Sequence, residues 1–152
     1  MEIISIVIAV ISAIFSIVTY IKSVRYEKRK STIEAFHFLQ NEVLDYFVNI
    51  TNENAKLIVD NLDNMKCKEA YDDQRALIAR LEHFAVGVKK RIYDFDVVDN
   101  LAGIHLITLY KKIKPIIDEA NRKEKKVNHY YHFCELVKKL DEKHKILKEK
   151  NE

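Results

Sequence analysis

Residues 3–21 read IISIVIAVISAIFSIVTYI, a run of nineteen residues without a charged residue, a proline or a glycine. An α-helix rises about 1.5 Å per residue, so this run makes a helix of roughly 28 Å, close to the hydrocarbon thickness of a bilayer. The run therefore predicts a transmembrane helix, and the position of every other residue depends on it.

The charges on either side of the run predict its orientation. Glu2 is the only charged residue before it, whereas five basic residues follow it directly: Lys22, Arg25, Lys28, Arg29 and Lys30. Basic residues collect on the cytoplasmic side of a span, so the N-terminus is expected outside and the chain from Lys22 onward in the cytoplasm. A cleavable signal peptide would instead begin with positive charge. Residues 1–30 are thus interpreted as an uncleaved anchor with basic residues at the membrane interface.

Small and weakly polar residues form one stripe inside the run. They recur alternately four and three positions apart, at Ser5, Ala9, Ser12, Ser16 and Thr19. Helices in lipid associate by close packing of small residues, and a 3.5-residue period suits a left-handed pairing. The stripe predicts a seam between copies of the protein. Alternatively, the hydroxyl groups bond to carbonyl groups of their own helix.

Composition predicts the fold of the remaining chain. With two glycines and one proline in 152 residues, there is little material for tight turns. We expect an all-α protein: an N-terminal transmembrane helix followed by a cytoplasmic antiparallel helical bundle of four to five helices, in one domain over residues 31–152. This domain has no net charge, because residues 22–30 carry +4 and Glu2 carries −1 of the total of +3. No specific nucleic acid partner is therefore expected.

Two central helices carry most of the packing information. Asp94 is a favourable cap for an apolar helix that starts near Phe95, and Pro115 is expected to bend or end that helix near Lys114. Gly87 and Gly103 lie at about the same distance from Asp94, so we predict that they face each other across an antiparallel hairpin as points of close helix packing. Two possibilities remain for the first helix: it runs unbroken out of the membrane, or a new helix is capped at Ser31 or Thr32.

The order of these features resembles a bacterial family. It comprises the stretch RLEHFAVGV at residues 80–88, Ile92-Tyr93-Asp94, a long apolar helix with Pro115, and Tyr130-Tyr131-His132-Phe133. This order is similar to small one-pass membrane proteins grouped under a domain of unknown function, which occur in prophage-like or defence-like neighbourhoods. The resemblance implies an N-terminal span in the bacterial inner (cytoplasmic) membrane and a cytoplasmic helical domain, with no established reaction.

Catalytic and ligand-binding motifs do not stand out. His129 and His132 have helical spacing but no evident third ligand, so neither a metal nor another cofactor is expected. Arg122 followed six residues later by His129 resembles the active-site motif of a family of all-helical bacterial ribonucleases. In that chemistry the arginine stabilises the phosphorane and the histidine moves the proton. A membrane-tethered ribonuclease is therefore the alternative function.

The favoured interpretation is a non-enzymatic membrane protein. Its expected partners are the lipid bilayer, further copies of itself in a homo-oligomer, and a cytoplasmic protein. The family resemblance suggests a membrane-acting effector or sensor in phage defence or stress response.

The charge step at residues 22–30 predicts a cytoplasmic C-terminus. A reporter that is active only outside the cytoplasm, fused after Glu152, should therefore remain silent, whereas a cytoplasmic reporter at the same site should be active. Activity of the first reporter would reverse the predicted orientation.

Overall fold

The computed structural model describes residues 2–123 and 128–149, and their regular structure is entirely helical. The first helix, α1, covers Glu2–Leu39 and continues through a π-helical turn, Gln40–Leu44, and a last α-helical turn, Asp45–Phe47. Four more helices follow in the described chain: α2 (Asn52–Asp60), α3 (Met65–Lys89), α4 (Phe95–Lys123) and α5 (Tyr131–Glu149). The predicted all-α class, with an N-terminal apolar helix and a helical bundle, is confirmed.

The apolar half of α1 lies outside the bundle. Ile4–Phe47 is one helix of 44 residues with an 18-residue window that is long and apolar enough to cross a membrane. The core helix of a soluble protein passes the same test but is mostly buried, whereas none of this window is buried. The apolar side chains of this half are therefore exposed to the surroundings of the bundle.

The second half of α1 is part of the bundle. From Thr32 onward it buries one face, formed by Thr32, Phe36, Leu39, Val43 and Phe47. A cap at Ser31 or Thr32 is wrong, because both residues lie within α1. The other possibility is confirmed, since no proline or glycine in residues 22–30 interrupts the helix.

Polar side chains cap three of the later helices. Thr51 Oγ1 accepts a hydrogen bond from Asn54 N at the start of α2, and Asn64 Oδ1 accepts one from Lys66 N at the start of α3. The predicted cap at Asp94 is confirmed, because its Oδ1 accepts hydrogen bonds from the backbone at the start of α4, from Asp96 N and Val97 N. Each cap satisfies backbone N–H groups that have no acceptor within the helix.

The contacts between helices define two ends of the bundle. Phe36 packs on Phe84, and farther along α1 Glu42 pairs with Arg80, so α3 is antiparallel to α1. On α5, Phe133 packs on Tyr110, and farther along the helix Lys143 pairs with Asp96 on the first turn of α4, so α5 is antiparallel to α4. The basal end, nearest the apolar half of α1, therefore contains residue 32, the loop of residues 90–94, the start of α4 and the last turns of α5.

Pro115 lies inside α4 and does not end it, which corrects that part of the prediction. The helix buries apolar side chains on both sides of the proline, at Ile113, Ile116 and Ile117. Packing of these side chains compensates for the backbone hydrogen bond that proline cannot donate.

The two glycines have different neighbours from those predicted. A Cβ atom at Gly87 would collide with the ring of Tyr93, and one at Gly103 would collide with Asp99 Oδ1 and lie 2.9 Å from His144 Nε2. Both positions are sites of close packing, but Gly87 meets a loop residue, and Gly103 meets Asp99 of its own helix and His144 of α5, rather than the other glycine. The number of residues between each glycine and Asp94 predicts how far along its helix the glycine lies. The rotation of the helix about its own axis decides which neighbour the glycine contacts.

We predict that Gly103→Leu lowers the free energy of unfolding by about 2 kcal/mol, because the new side chain must displace Asp99 and His144. Urea denaturation of the full chain in detergent would measure the change. Asn100→Leu, at an exposed position on the same helix, is the control. Equal stability of the two variants would contradict the tight contact.

Candidate functional site

The predicted seam residues lie on the exposed part of α1. Ser5, Ala9, Ser12, Ser16 and Thr19 are all solvent-exposed in the single chain. Ser16 Oγ donates a hydrogen bond to the carbonyl oxygen of Ser12 at 2.8 Å, as the alternative interpretation proposed for hydroxyl groups in this stripe. The hydroxyl of Ser16 is thus satisfied within its own helix, and the seam between copies stays a prediction.

The basic residues between the two halves of α1 are part of the same helix. Lys22, Arg25, Arg29 and Lys30 are exposed, and Lys28 is half-buried. Lys30 lies 4.0 Å from Glu34, a solvent-exposed ion pair that contributes little to stability. Most of this positive charge is therefore available to the surroundings.

Thr32 joins α1 to the bundle. It is completely buried, its Oγ1 donates to the carbonyl oxygen of Lys28 at 2.7 Å, and the same oxygen accepts a hydrogen bond from Asp94 N at 2.8 Å. Asp94 also caps α4, so one buried hydroxyl connects α1 directly to the start of α4. We call this contact, with Lys28, Thr32 and Asp94, the junction.

Aromatic side chains extend the junction toward α3. The ring of Phe36 lies 6.2 Å from that of Phe84, which in turn stacks on Tyr93 at 5.1 Å. Tyr93 packs over Gly87, where no side chain occupies the space. The base of the bundle is thereby held against α1 by both a hydrogen bond and close packing.

Two grooves border α1 where it enters the bundle. A groove of about 440 Å³ separates it from α4 and is lined by residues that include Gln40, Leu44, Leu101 and His105. A second groove, of about 580 Å³, lies between α1 and α3. The π-helical turn contributes residues to both grooves, and such turns occur frequently at functional sites.

The structure places Arg122 in the last turn of α4 and His129 in the connection, two residues before α5 begins. Arg122 Nε and Nη2 donate to the carboxylate of Glu119 at 2.7 and 2.8 Å. The Arg122 guanidinium holds the pKa of Glu119 below its ordinary value. His129 N donates to Asn121 Oδ1 at 2.7 Å. The guanidinium that the ribonuclease alternative assigns to a phosphate is thus bound to a carboxylate.

Two buried polar groups near this connection were not anticipated. Tyr71 and Gln74 are each 2 % exposed, and Tyr71 Oη and Gln74 Oε1 have no hydrogen-bond partner among the residues that the structure describes. Burial raises the pKa of Tyr71, and the ammonium group of Lys123 lies 5.0 Å from the centre of its ring. Tyr71 and Gln74 lie at helical spacing before Ile78 and Leu81, which are buried on the same helix, so the sequence contained a signal for their burial.

Glu82 and Asp99 fix the two ends of α5. Glu82 accepts hydrogen bonds from His132 N, His132 Nδ1 and Phe133 N at 3.1, 2.6 and 2.8 Å, and so acts as a cap from another helix. Burial raises the pKa of Asp99, but hydrogen bonds from Lys143 and His144 outweigh this effect and hold that pKa below its ordinary value. Sequence analysis missed both carboxylates, because their partners lie about fifty residues away in the chain.

The described residues contain no group of three or more histidine, cysteine, aspartate or glutamate side chains that could hold a metal ion. Their arrangement brings together an exposed apolar helix, a buried junction and two grooves. These features are suited to binding and mechanical connection.

Comparison with protein families gives a match over most of the chain. A family model described as Domain of unknown function (DUF4760) covers residues 3–140, which include the apolar half of α1 and most of the bundle. The chain belongs to this family. No curated protein and no solved structure matches the chain. The DUF4760 match therefore joins the apolar helix and the bundle in one unit but assigns no activity to them.

We predict that Glu82→Ala destabilises the protein by about 2 kcal/mol, because it removes charge-assisted hydrogen bonds to the first turn of α5. Urea denaturation of the full chain in detergent would measure this loss. Glu69→Ala, at an exposed position on the same helix, should change stability by less than about 0.5 kcal/mol. Similar losses in both variants would contradict the capping role of Glu82.

Proposed function

We propose that this protein is a single-span membrane protein whose bundle and span act as one mechanical unit, and that copies associate along α1. The observation that carries the proposal is the continuity of Ile4–Phe47, one helix that is fully exposed and apolar in its first half and buried in the bundle in its second. The N-terminus lies outside and the bundle lies in the cytoplasm, in keeping with the basic residues at 22–30.

Continuity matters because a rigid helix transmits movement. A flexible linker between span and bundle would allow each to rotate independently. Here the helix enters the core directly, and the junction prevents α1 from turning relative to α4 without loss of a buried hydrogen bond. A change in the bundle therefore changes the position or rotation of the span, as a membrane-acting effector or sensor requires.

The same face of α1 connects the predicted seam with one of the grooves. The spacing of the seam continues beyond Thr19 through Ser23 and Tyr26 to Ile33 and Gln40. Gln40 lines the groove between α1 and α4, and Ile33 is 50 % exposed. A straight α-helix drifts by about 20° per heptad from this repeat, and a left-handed supercoil removes the drift. Association along the seam would thus bring the corresponding faces of two bundles together.

Assembly of such spans perturbs the bilayer or forms a small pore, and this effect provides a direct role in stress response or phage defence. The family resemblance favours that setting. The ribonuclease alternative has less support, because Glu119 binds the guanidinium of Arg122 through two hydrogen bonds.

Insertions after Glu27 test the mechanical connection. Two added alanines rotate the bundle by about 200° relative to the span, whereas seven rotate it by only about 20° and lengthen the helix. Disulfide cross-linking of Ser12→Cys and Ile33→Cys together, in a chain with both native cysteines replaced, should produce joined copies at both sites. We expect the two-residue insertion to abolish double cross-linking and the seven-residue insertion to retain it. Equal behaviour of the two insertions would contradict rigid coupling.

A cysteine scan from Ile3 to Ile21 tests the seam itself. Cross-linking should peak at 5, 9, 12, 16 and 19, and a flat profile would leave the span as a simple tether. Where expression inhibits growth, Ser12→Leu and Ser16→Leu should relieve the inhibition. Relief by Arg122→Ala and His129→Ala instead would favour the ribonuclease.

A further inference from the structure

We propose that the basal end of the bundle docks on anionic lipid headgroups through a second contact with the membrane, separate from the basic residues of α1. We call this contact the basal surface, and it consists of Lys90, Arg91, Ile92, Ile146 and Leu147. The inference rests on the membrane anchoring proposed above, but it does not depend on self-association.

The helix geometry places the basal surface near the bilayer. Thr32, which contacts Asp94 N, follows Ile21 by eleven residues, so the loop of residues 90–94 lies roughly 16 Å beyond the end of the apolar run when α1 is upright. Transmembrane helices are tilted by about 20° on average, which brings one side of an attached bundle closer to the surface. Interfacial layers add about 5–7 Å on each side of the hydrocarbon, so the tilt and the length of the basic side chains on this loop together close the remaining distance of about 10 Å to the headgroups.

The end of α5 comes closer still. Lys143 and His144 contact Asp96 and Asp99 in the first turns of α4, and the helix then continues past them toward the apolar half of α1. Ile146 is 53 % exposed and Leu147 is 47 % exposed. Exposed apolar residues next to basic ones are typical of surfaces that bind the boundary between headgroups and acyl chains.

Arg91 adopts a backbone conformation that side chains usually avoid. Its φ is 61°, and hydrogen bonds from Arg91 N to the Val88 carbonyl and from Ile92 N to the Gly87 carbonyl form the loop that ends α3. Glycine is usual at this position because it has no Cβ. An arginine here places a long cation at the tip of the basal end at a cost in backbone strain, and strain of this kind concentrates at functional sites.

The basic residues of the tip form no ion pair within the described part of the chain. Lys89, Lys143 and Lys145 are each paired with carboxylates, at Glu135, Asp96 and Asp141 among others. Lys90 and Arg91 take part in none of the ion pairs formed by residues 2–123 and 128–149, and both are exposed. Ile92, next to them, is 60 % exposed. Two free cations beside an apolar side chain complement an anionic membrane surface, which attracts basic residues within about a Debye length.

Docking would fix the tilt of α1. The basal surface lies to one side of α1, so contact with headgroups on that side inclines the span and the bundle together. The tilt of the span then depends on the anionic lipid content of the membrane, which gives the protein a means to respond to lipid composition.

Hydrogen exchange of the full chain in lipid nanodiscs tests the proposal. One set of discs contains only phosphatidylcholine, and the other also contains phosphatidylglycerol. Amides of residues 90–94 should exchange more slowly in the anionic discs, and about 1 M salt, which shortens the Debye length to about 3 Å, should remove the difference. Because each cation near an anionic surface contributes about fivefold to binding, Lys90→Glu with Arg91→Glu should weaken docking by at least about 25-fold and abolish the lipid-dependent protection.

The matched control reverses two charges at the start of α3, the end of that helix farthest from the basal surface. Lys66 and Lys68 are exposed at the start of α3, so Lys66→Glu with Lys68→Glu changes the net charge equally without altering the basal surface. Each variant is compared with itself in neutral discs, so effects on folding cancel. Equal exchange in both kinds of disc, or an equal effect of the control, would overturn the docking while leaving the anchor intact. A chain that does not remain with the discs would overturn both proposals.

Discussion

The structure depends on the buried hydroxyl of Thr32. At this residue α1 changes from a helix whose described apolar side chains are exposed to a helix with one face in a hydrophobic core. The hydroxyl oxygen donates to the turn below it and accepts from Asp94 N, and so satisfies a backbone donor that would otherwise be buried beside an apolar helix. Valine in place of Thr32 would fill the same volume but leave that N–H group without an acceptor, which is costly in a buried site.

This contact also bears on the arrangement of α4 and α5. It sets the start of α4 against α1, and α5 then packs against α4 through Asp99 and against α3 through Glu82. Both carboxylates accept hydrogen bonds from α5, at opposite ends of the helix. The bundle thus has a defined rotation relative to α1, which apolar packing alone would specify less uniquely.

Sequence periodicity predicted the elements more reliably than their partners. The cap at Asp94 and the all-α class were predictable, because both follow from local residue chemistry. The neighbours of Gly103 and the capping role of Glu82 were not, because they depend on the rotation of helices that are distant in sequence. The pairing of Arg122 with Glu119 was visible in principle as a spacing of three on one helix. The proposed contact between copies follows from the local spacing of the small residues in α1. The proposed basal surface has no such local pattern, because it combines the loop after α3 with the end of α5.

The π-helical turn at Gln40–Leu44 has a consequence for how the protein can evolve. Such a turn holds an additional residue, and here it allows Leu39, Val43 and Phe47 to face the core at successive intervals of four. In an uninterrupted α-helix these intervals would carry Phe47 progressively away from the core. The additional residue lies after Thr32, so it readjusts only the last turns of α1. Insertions or deletions at this turn can therefore remodel the grooves of the bundle without altering the register between the bundle and the bilayer.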